Sequence, residues 1–193
     1  MGGSLLERFD FSRGGWDPAE FCPAWSTACK VHRHFLQEDD CLTNSADADG
    51  NFDYASMVTK KTYGAGTRLR TRCSFESFGA PLIVFTNDLR EGDDGAVYGL
   101  HFEVVAYEGG CNIWRIVPAD TARGIATTAL AKVRFPVPAQ SEIDLEVELK
   151  DRAIGVRVNG HSFEIHCGEL PERVHVGITA CEGINRFYDF SIE

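Results

Sequence analysis

The chain has 193 residues, and one domain typically takes about 100–200, so a single domain spanning residues 1–193 is expected. Apolar residues make up 44% and charged residues 25% of it, which argues against intrinsic disorder and allows a full core without disulfide or metal staples. With 19 basic against 29 acidic residues the net charge is −10; such a surface repels phosphate backbones and anionic lipid, so neither nucleic acid nor a membrane is an expected partner. The 13 Phe, 5 Tyr and 3 Trp beside 19 Gly and 7 Pro are the usage of an all-β protein with many turns.

Taken in chain order, MGGSLLERFDFSRGG lacks the basic start and apolar run of a secretory signal. No apolar stretch approaches the roughly 18 residues of a membrane-spanning helix. Cysteines at 22, 29, 41, 73, 111, 167 and 181 form no CxxC pair, so reduced thiols in a cytoplasmic protein are expected and a four-ligand zinc site is not. Residues 1–30, broken by Gly14-Gly15, Pro18 and Pro23, read as irregular apart from a short strand at Phe9-Asp10-Phe11. His32 and His34 share a face if extended, but lack a third ligand nearby and read as surface or core histidines. The stretch from Ser45 to Ser56 resembles a calcium loop, with Asp47, Asp49 and Asp53 at positions 3, 5 and 9 and Gly50 at position 6. Ser45 at position 1 and Ser56 at position 12 replace the usual carboxylates, and carboxylates around a glycine also make a plain turn. Calcium is the one candidate cofactor.

From there alternation dominates, and no amphipathic helix longer than two turns is predicted. Arg68, Arg70 and Arg72 alternate with Leu69, Thr71, Cys73 and Phe75, and Leu82–Phe85 is a continuous apolar run after Pro81. Tyr98–Tyr107 and Cys111–Val117 flank Gly109-Gly110. A two-residue turn there pairs residues whose numbers sum to about 219. One face of that hairpin then holds Leu100, Phe102, Val104, Ala106, Ile113 and Val117, interrupted only by Arg115. The other holds His101, Glu103, Val105, Tyr107, Asn112 and Trp114.

Glu142, Asp144 and Glu146 lie on one face of the next strand. A turn at Asp151-Arg152 sets Arg157 opposite Glu146, and the Arg68/Arg70/Arg72 strand is a further partner if it lies alongside, so a charged outer sheet face is the expectation. Asn159-Gly160 is a type I′ turn signal that aligns Ile154, Val156 and Val158 with His161, Phe163 and Ile165. Val174–Cys181 and Phe187–Ile192 close the chain. One-sided sheets of this kind must pack on another sheet, which predicts a two-sheet antiparallel β-sandwich.

The order of these segments resembles a concanavalin A-like lectin/glucanase jelly roll, in particular its laminin G-like and 3-keto-disaccharide hydrolase-like branches. The residues that carry the resemblance are the FDF and FYDFSI terminal strands, YGLHFEVV followed by NIWRI, and IDLEVELKDRAIGVRVNGHSFEI with its VNG turn. It covers roughly residues 50–193 and implies carbohydrate binding or cleavage on the concave sheet, often with calcium nearby. Recognising a sugar needs an aromatic ring to stack on a pyranose and short polar groups with a carboxylate for its hydroxyls. His101, Glu103, Tyr107, Asn112 and Trp114 supply these on one face, and an oligosaccharide or glycoside is the expected partner. The alternative is a glycoside hydrolase or lyase. Glu103 with His101 is one candidate acid/base pair. The other is Glu142/Asp144/Glu146, which resembles the E-x-D-x-E signature of laminarinase- and lichenase-type hydrolases. An assembly module that pairs its sheet with another chain is a third class without a positive sign in the sequence.

Overall fold

The computed structural model describes residues 7–29, 32–45 and 54–193. In chain order the strands are β1 (Glu7–Asp10), β2 (Phe21–Trp25), β3 (Leu36–Gln37), β4 (Leu42–Thr43), β5 (Ala55–Thr59), β6 (Tyr63–Gly64), β7 (Arg68–Thr86), β8 (Leu89–Gly92), β9 (Gly95–Tyr98), β10 (His101–Tyr107), β11 (Gly110–Pro118), β12 (Ile125–Arg134), β13 (Ile143–Lys150), β14 (Ala153–Val158), β15 (His161–His166) and β16 (Arg173–Ile192). Among the described residues the one helical element is a 3-10 turn at Pro18–Glu20, which Asp17 caps by accepting the Ala19 N–H.

The spine is the antiparallel pair β7 and β16, joined from His175↔Thr86 to Ile192↔Leu69. Its two halves serve different layers. The C-terminal half of β7 pairs with β10, and the facing part of β16 pairs with β5, giving a front layer β12-β11-β10-β7-β16-β5-β2. The N-terminal half of β7 pairs with β13, and the end of β16 pairs with β1, giving a back layer β15-β14-β13-β7-β16-β1. The chain of strands is therefore one sheet folded back over itself into a sandwich. The fold-over is marked by register shifts between Cys181, Gly183 and Asn185. Gly183 adopts φ +80°, and a Cβ there would lie 2.1 Å from the Phe78 carbonyl oxygen, so no other residue fits without moving the crossing strand. Asn185, fully buried, holds the bend: its Oδ1 accepts the Ala80 N–H at 3.0 Å and its Nδ2 donates to the Gly183 carbonyl.

Between the layers Ile83, Phe85, Phe102, Val104 and Ile113 of the front meet Leu69, Leu145, Val147, Ile154 and Val156 of the back. Phe85 and Phe102 stack at 5.3 Å. Burying each such side chain is worth roughly 1.5–3 kcal/mol, so the inward faces dominate the stability of the sandwich.

The terminal strands pair as expected, Phe9 opposite Phe190. Asn159 and Gly160 take φ 47° and 87°, and Val158 pairs with His161. Lys150 pairs with Ala153 across Asp151-Arg152. The β10–β11 hairpin corrects its predicted register. Its turn is Glu108-Gly109, so Val104 faces Ile113 and Glu103 faces Trp114. That is a slip of two from the expected pairing, which leaves every side chain on its predicted face. Within the stretch expected to be irregular, residues 7–29 are more regular than that, since β2 enters the front layer beside β5.

Candidate binding site on the front sheet

The outward face of the front layer is built by strand parity. β10 turns His101, Glu103, Val105 and Tyr107 outward, because Phe102, Val104 and Ala106 are drawn into the core. Across the hairpin Trp114 lies opposite Glu103 and Asn112 opposite Val105. On the other side Glu103 faces Val84 and Val105 faces Leu82. A cavity of about 360 Å³ opens over this patch. Glu103, Tyr107, Asn112 and Trp114 line it together with Val105. Its far wall is the fold-over: Phe78, Gly79 and Ala80 of β7, and Cys181 and Glu182 of β16. Four of the five residues singled out from the sequence are thus brought together. His101 shares the face but is buried at 1% exposure and does not line the cavity.

The polar groups here are under-satisfied. Glu103 is 8% exposed, and among the described residues its nearest charged-group contact is His101 Nε2 at 3.6 Å. The Gly99 carbonyl lies 2.9 Å from His101 Nδ1 and, being an acceptor only, places the ring proton there. Nε2 then faces the carboxylate. His101 Nε2 and Asn112 Oδ1 have no hydrogen-bond partner among the described residues. Buried polar atoms without partners are rare in native proteins and cluster at sites that meet a ligand or water. Burial first, then the negative charge of Glu103, pushes the Cys29 thiol up to about 12. The same two causes in the same order raise the Tyr54 hydroxyl and the Cys181 thiol well above their ordinary values. Glu103 is therefore electrostatically coupled to residues from three parts of the chain. At the rim the Lys132 ammonium sits 5.0 Å from the Trp114 ring, and Arg134 donates to the Tyr107 hydroxyl at 2.7 Å.

No family model matches the chain, and no curated protein does. Solved structures do. The carbohydrate binding module CBM66 from Bacillus subtilis superposes with a TM-score of 0.62 at 9% identity, over 87% of this chain and 91% of that one. The kappa-carrageenase from Pseudoalteromonas carrageenovora, in complex with a kappa-carrageenan oligotetrasaccharide, superposes at 0.63 and 9% identity, over 100% and 96%. A structure described with endo-acting O-glycanases that human gut bacteria express to initiate mucin breakdown reaches 0.66 at 11%, over 98% of both chains. The fold is the concanavalin A-like jelly roll. At such identities the likeness carries the fold alone, and the site must be argued from its own residues.

In this jelly roll the Glu142/Asp144/Glu146 trio lies away from the cavity, on the outward face of the back layer. Arg70 grips Asp144 with two hydrogen bonds at 2.6 and 2.7 Å, Arg72 pairs with Glu142 at 3.4 Å, and Glu146 contacts Arg68 and Arg157. Each carboxylate meets a guanidinium: Arg157 stands directly opposite Glu146, while Arg70 and Arg72 reach diagonally past their register partners Glu146 and Asp144. The calcium candidates Asp47, Asp49 and Asp53 lie outside the described residues. His32 stacks on Trp25 at 4.1 Å, and His34 contacts Asp94 at 3.0 Å. Among the described residues Glu38, Asp40 and Cys41 lie close enough to share a metal ion. Burial, with Glu38 beside it, pushes the Cys41 thiol up to about 12, while Arg186 already pairs with Glu38; a protonated thiol and an engaged carboxylate are poor ligands. The six remaining thiols are free as well.

Sequence reasoning missed the residues that complete the cavity, Phe78, Cys181 and Glu182. They reach it only because β7 and β16 fold over beside β10, an order of strands that no local pattern encodes.

Proposed function

We propose that the protein binds a carbohydrate on the outward face of its front sheet, in the cavity lined by Glu103, Tyr107, Asn112 and Trp114. The observation that carries this reading is the meeting of the Trp114 and Tyr107 rings, a buried carboxylate and an amide oxygen without a partner among the described residues in one small cavity. Trp114 or Tyr107 stacks against the apolar face of a pyranose, and Glu103 and Asn112 accept hydrogen bonds from its hydroxyls. The structural neighbours, a carbohydrate binding module and a carrageenase bound to its oligosaccharide, support the same substrate class.

Hydrolysis is the second reading, favoured by the His101–Glu103 contact at 3.6 Å. Glycosidases of the usual kind work with two carboxylates about 5–9.5 Å apart across the scissile bond. Among the described residues Glu103 is the one buried carboxylate of the cavity, while Glu108 and Glu182 are exposed on its rim, which supports binding over turnover. Thermal shift and calorimetry against a panel of defined glycans test the proposal. A ligand should raise the melting temperature, lose about 1–2 kcal/mol of affinity in Trp114→Ala, roughly 5- to 30-fold, and be recovered intact. Binding unchanged by Trp114→Ala sinks the site, and release of a cleaved product favours the hydrolase.

A further inference from the structure

The open half of the front face is the cavity, which lies over β10 and β11 and reaches β7 and β16 only at the fold-over. On the β7–β16–β5 side the outward residues Leu82, Val84, Thr179, Ser56 and Val58 are all at most 2% exposed, although they belong to the same face and the same rows as Glu103 and Asn112. Tyr98 is what covers them. Its ring packs into a second apolar cluster with Val58, Leu82 and Val84 and stacks on His101 at 4.8 Å. Its hydroxyl lies 2.6 Å from that of Ser56, which is itself 2.6 Å from that of Thr179. Tyr98 ends β9, and β9 is anchored by parallel pairing to β2, Ala24 to Ala96. The cover is thus tied to the sheet at both its hydroxyl and its backbone. Glu103 stands where the open half stops.

A run of sugar units crossing a sheet needs a groove open at both ends. Here one end is bounded by Tyr98, which packs on His101 and Val105, and the other runs past Tyr107 to the fold-over, where the apolar ring of Phe78 is 45% exposed. The cavity's volume of about 360 Å³ is near the lower end of the roughly 300–1,000 Å³ of small-ligand sites, room for one or two rings and not for several. We infer that the cavity takes the end of a saccharide chain. The terminal ring meets Glu103 and Asn112, the next ring passes Phe78, and the remainder of the chain stays in solvent. This inference rests on the carbohydrate reading above and adds to it which part of the glycan is recognised.

Stoichiometry tests it without any variant. An array of immobilised defined glycans, each presenting a free chain end, identifies the strongest hit. Calorimetry then uses that glycan as a length series from one to six units and as longer polymer fractions of known length. Affinity should level off at two units, changing less than about threefold from two to six, and each polymer chain should bind a fixed number of protein molecules however long it is. A number of bound molecules that grows with polymer length, or affinity that climbs steadily to six units, overturns the chain-end inference while leaving carbohydrate binding intact. Absence of binding anywhere on the array overturns the carbohydrate reading itself, and this inference with it.

Discussion

Glu103→Gln separates what the fold needs from what the site needs. The substitution keeps the shape and the acceptor oxygen but removes the charge. In the native protein that carboxylate is 8% exposed, receives no hydrogen bond from the described residues, and faces His101 Nε2 at 3.6 Å. A buried charge so poorly compensated costs the fold free energy, and neutralising it should return about 1–2 kcal/mol. For a domain of this size each kcal/mol moves the melting temperature by about 2–4 °C, so a rise of about 2–8 °C is expected. Ligand affinity should move the other way. A hydrogen bond to a charged acceptor is worth about 1.5–3 kcal/mol, and its loss weakens binding about 10- to 150-fold. A third readout is independent of both. Because the charge of Glu103 helps to hold the Cys29 thiol at about 12, that thiol should ionise at lower pH in the variant. Differential scanning calorimetry, titration calorimetry with the glycan hit, and thiolate absorbance follow the three. A variant that melts lower than the parent would show that His101 and Glu103 form a stabilising ion pair, and unchanged affinity would remove Glu103 from the site; either result refutes the reasoning.

Three further outcomes are expected. Asn185→Ala removes the side chain that ties the fold-over, leaving the Ala80 N–H and the Gly183 carbonyl without that partner; urea unfolding should show a loss of about 2–4 kcal/mol, and a loss under 1 would show that the bend is held elsewhere. Glu146→Gln breaks ion pairs to Arg68 and Arg157 on the outward face of the back layer, so stability should change by at most about 1 kcal/mol and glycan affinity not at all, whereas loss of any activity would return the trio to consideration. Burial pushes the Cys29 and Cys111 thiols up from about 9 to about 12. The unfolded chain therefore sheds these protons first, and stability is complete below about pH 9 and falls by about 1.4 kcal/mol per pH unit per thiol between pH 9 and 12; Cys111→Ala should flatten that slope in alkaline unfolding curves, and an unchanged slope would contradict it.

What could be read from the residues, and what could not, divides on locality. The faces of β10 and β11 were legible because side-chain direction has period two, so a turn misplaced by one residue slipped the register by two and changed no face. The Asn159-Gly160 hairpin was legible because its turn residues demand positive φ. β5 was not: all five of its residues are buried, so it shows no alternation. β12 failed for the opposite reason, lying at an open edge with most of its residues exposed on both faces. β2 carries a proline in its middle, which argues against a strand until its neighbours are known.

The site divides in the same way. Parity put Glu103, Tyr107, Asn112 and Trp114 on one face, and they line one cavity. Parity put His101 there as well, and it is buried, because whether a face is open depends on what is laid over it. Tyr98 decides that, by binding to Ser56 and stacking on His101. Its hold on the sheet comes from Ala24 and Ala96, 72 positions apart in sequence and adjacent in space. A local pattern can say which side chains point the same way. Which of them a ligand reaches is a property of the strand order, and here that order closes one end of the face and leaves the other open to the end of a chain.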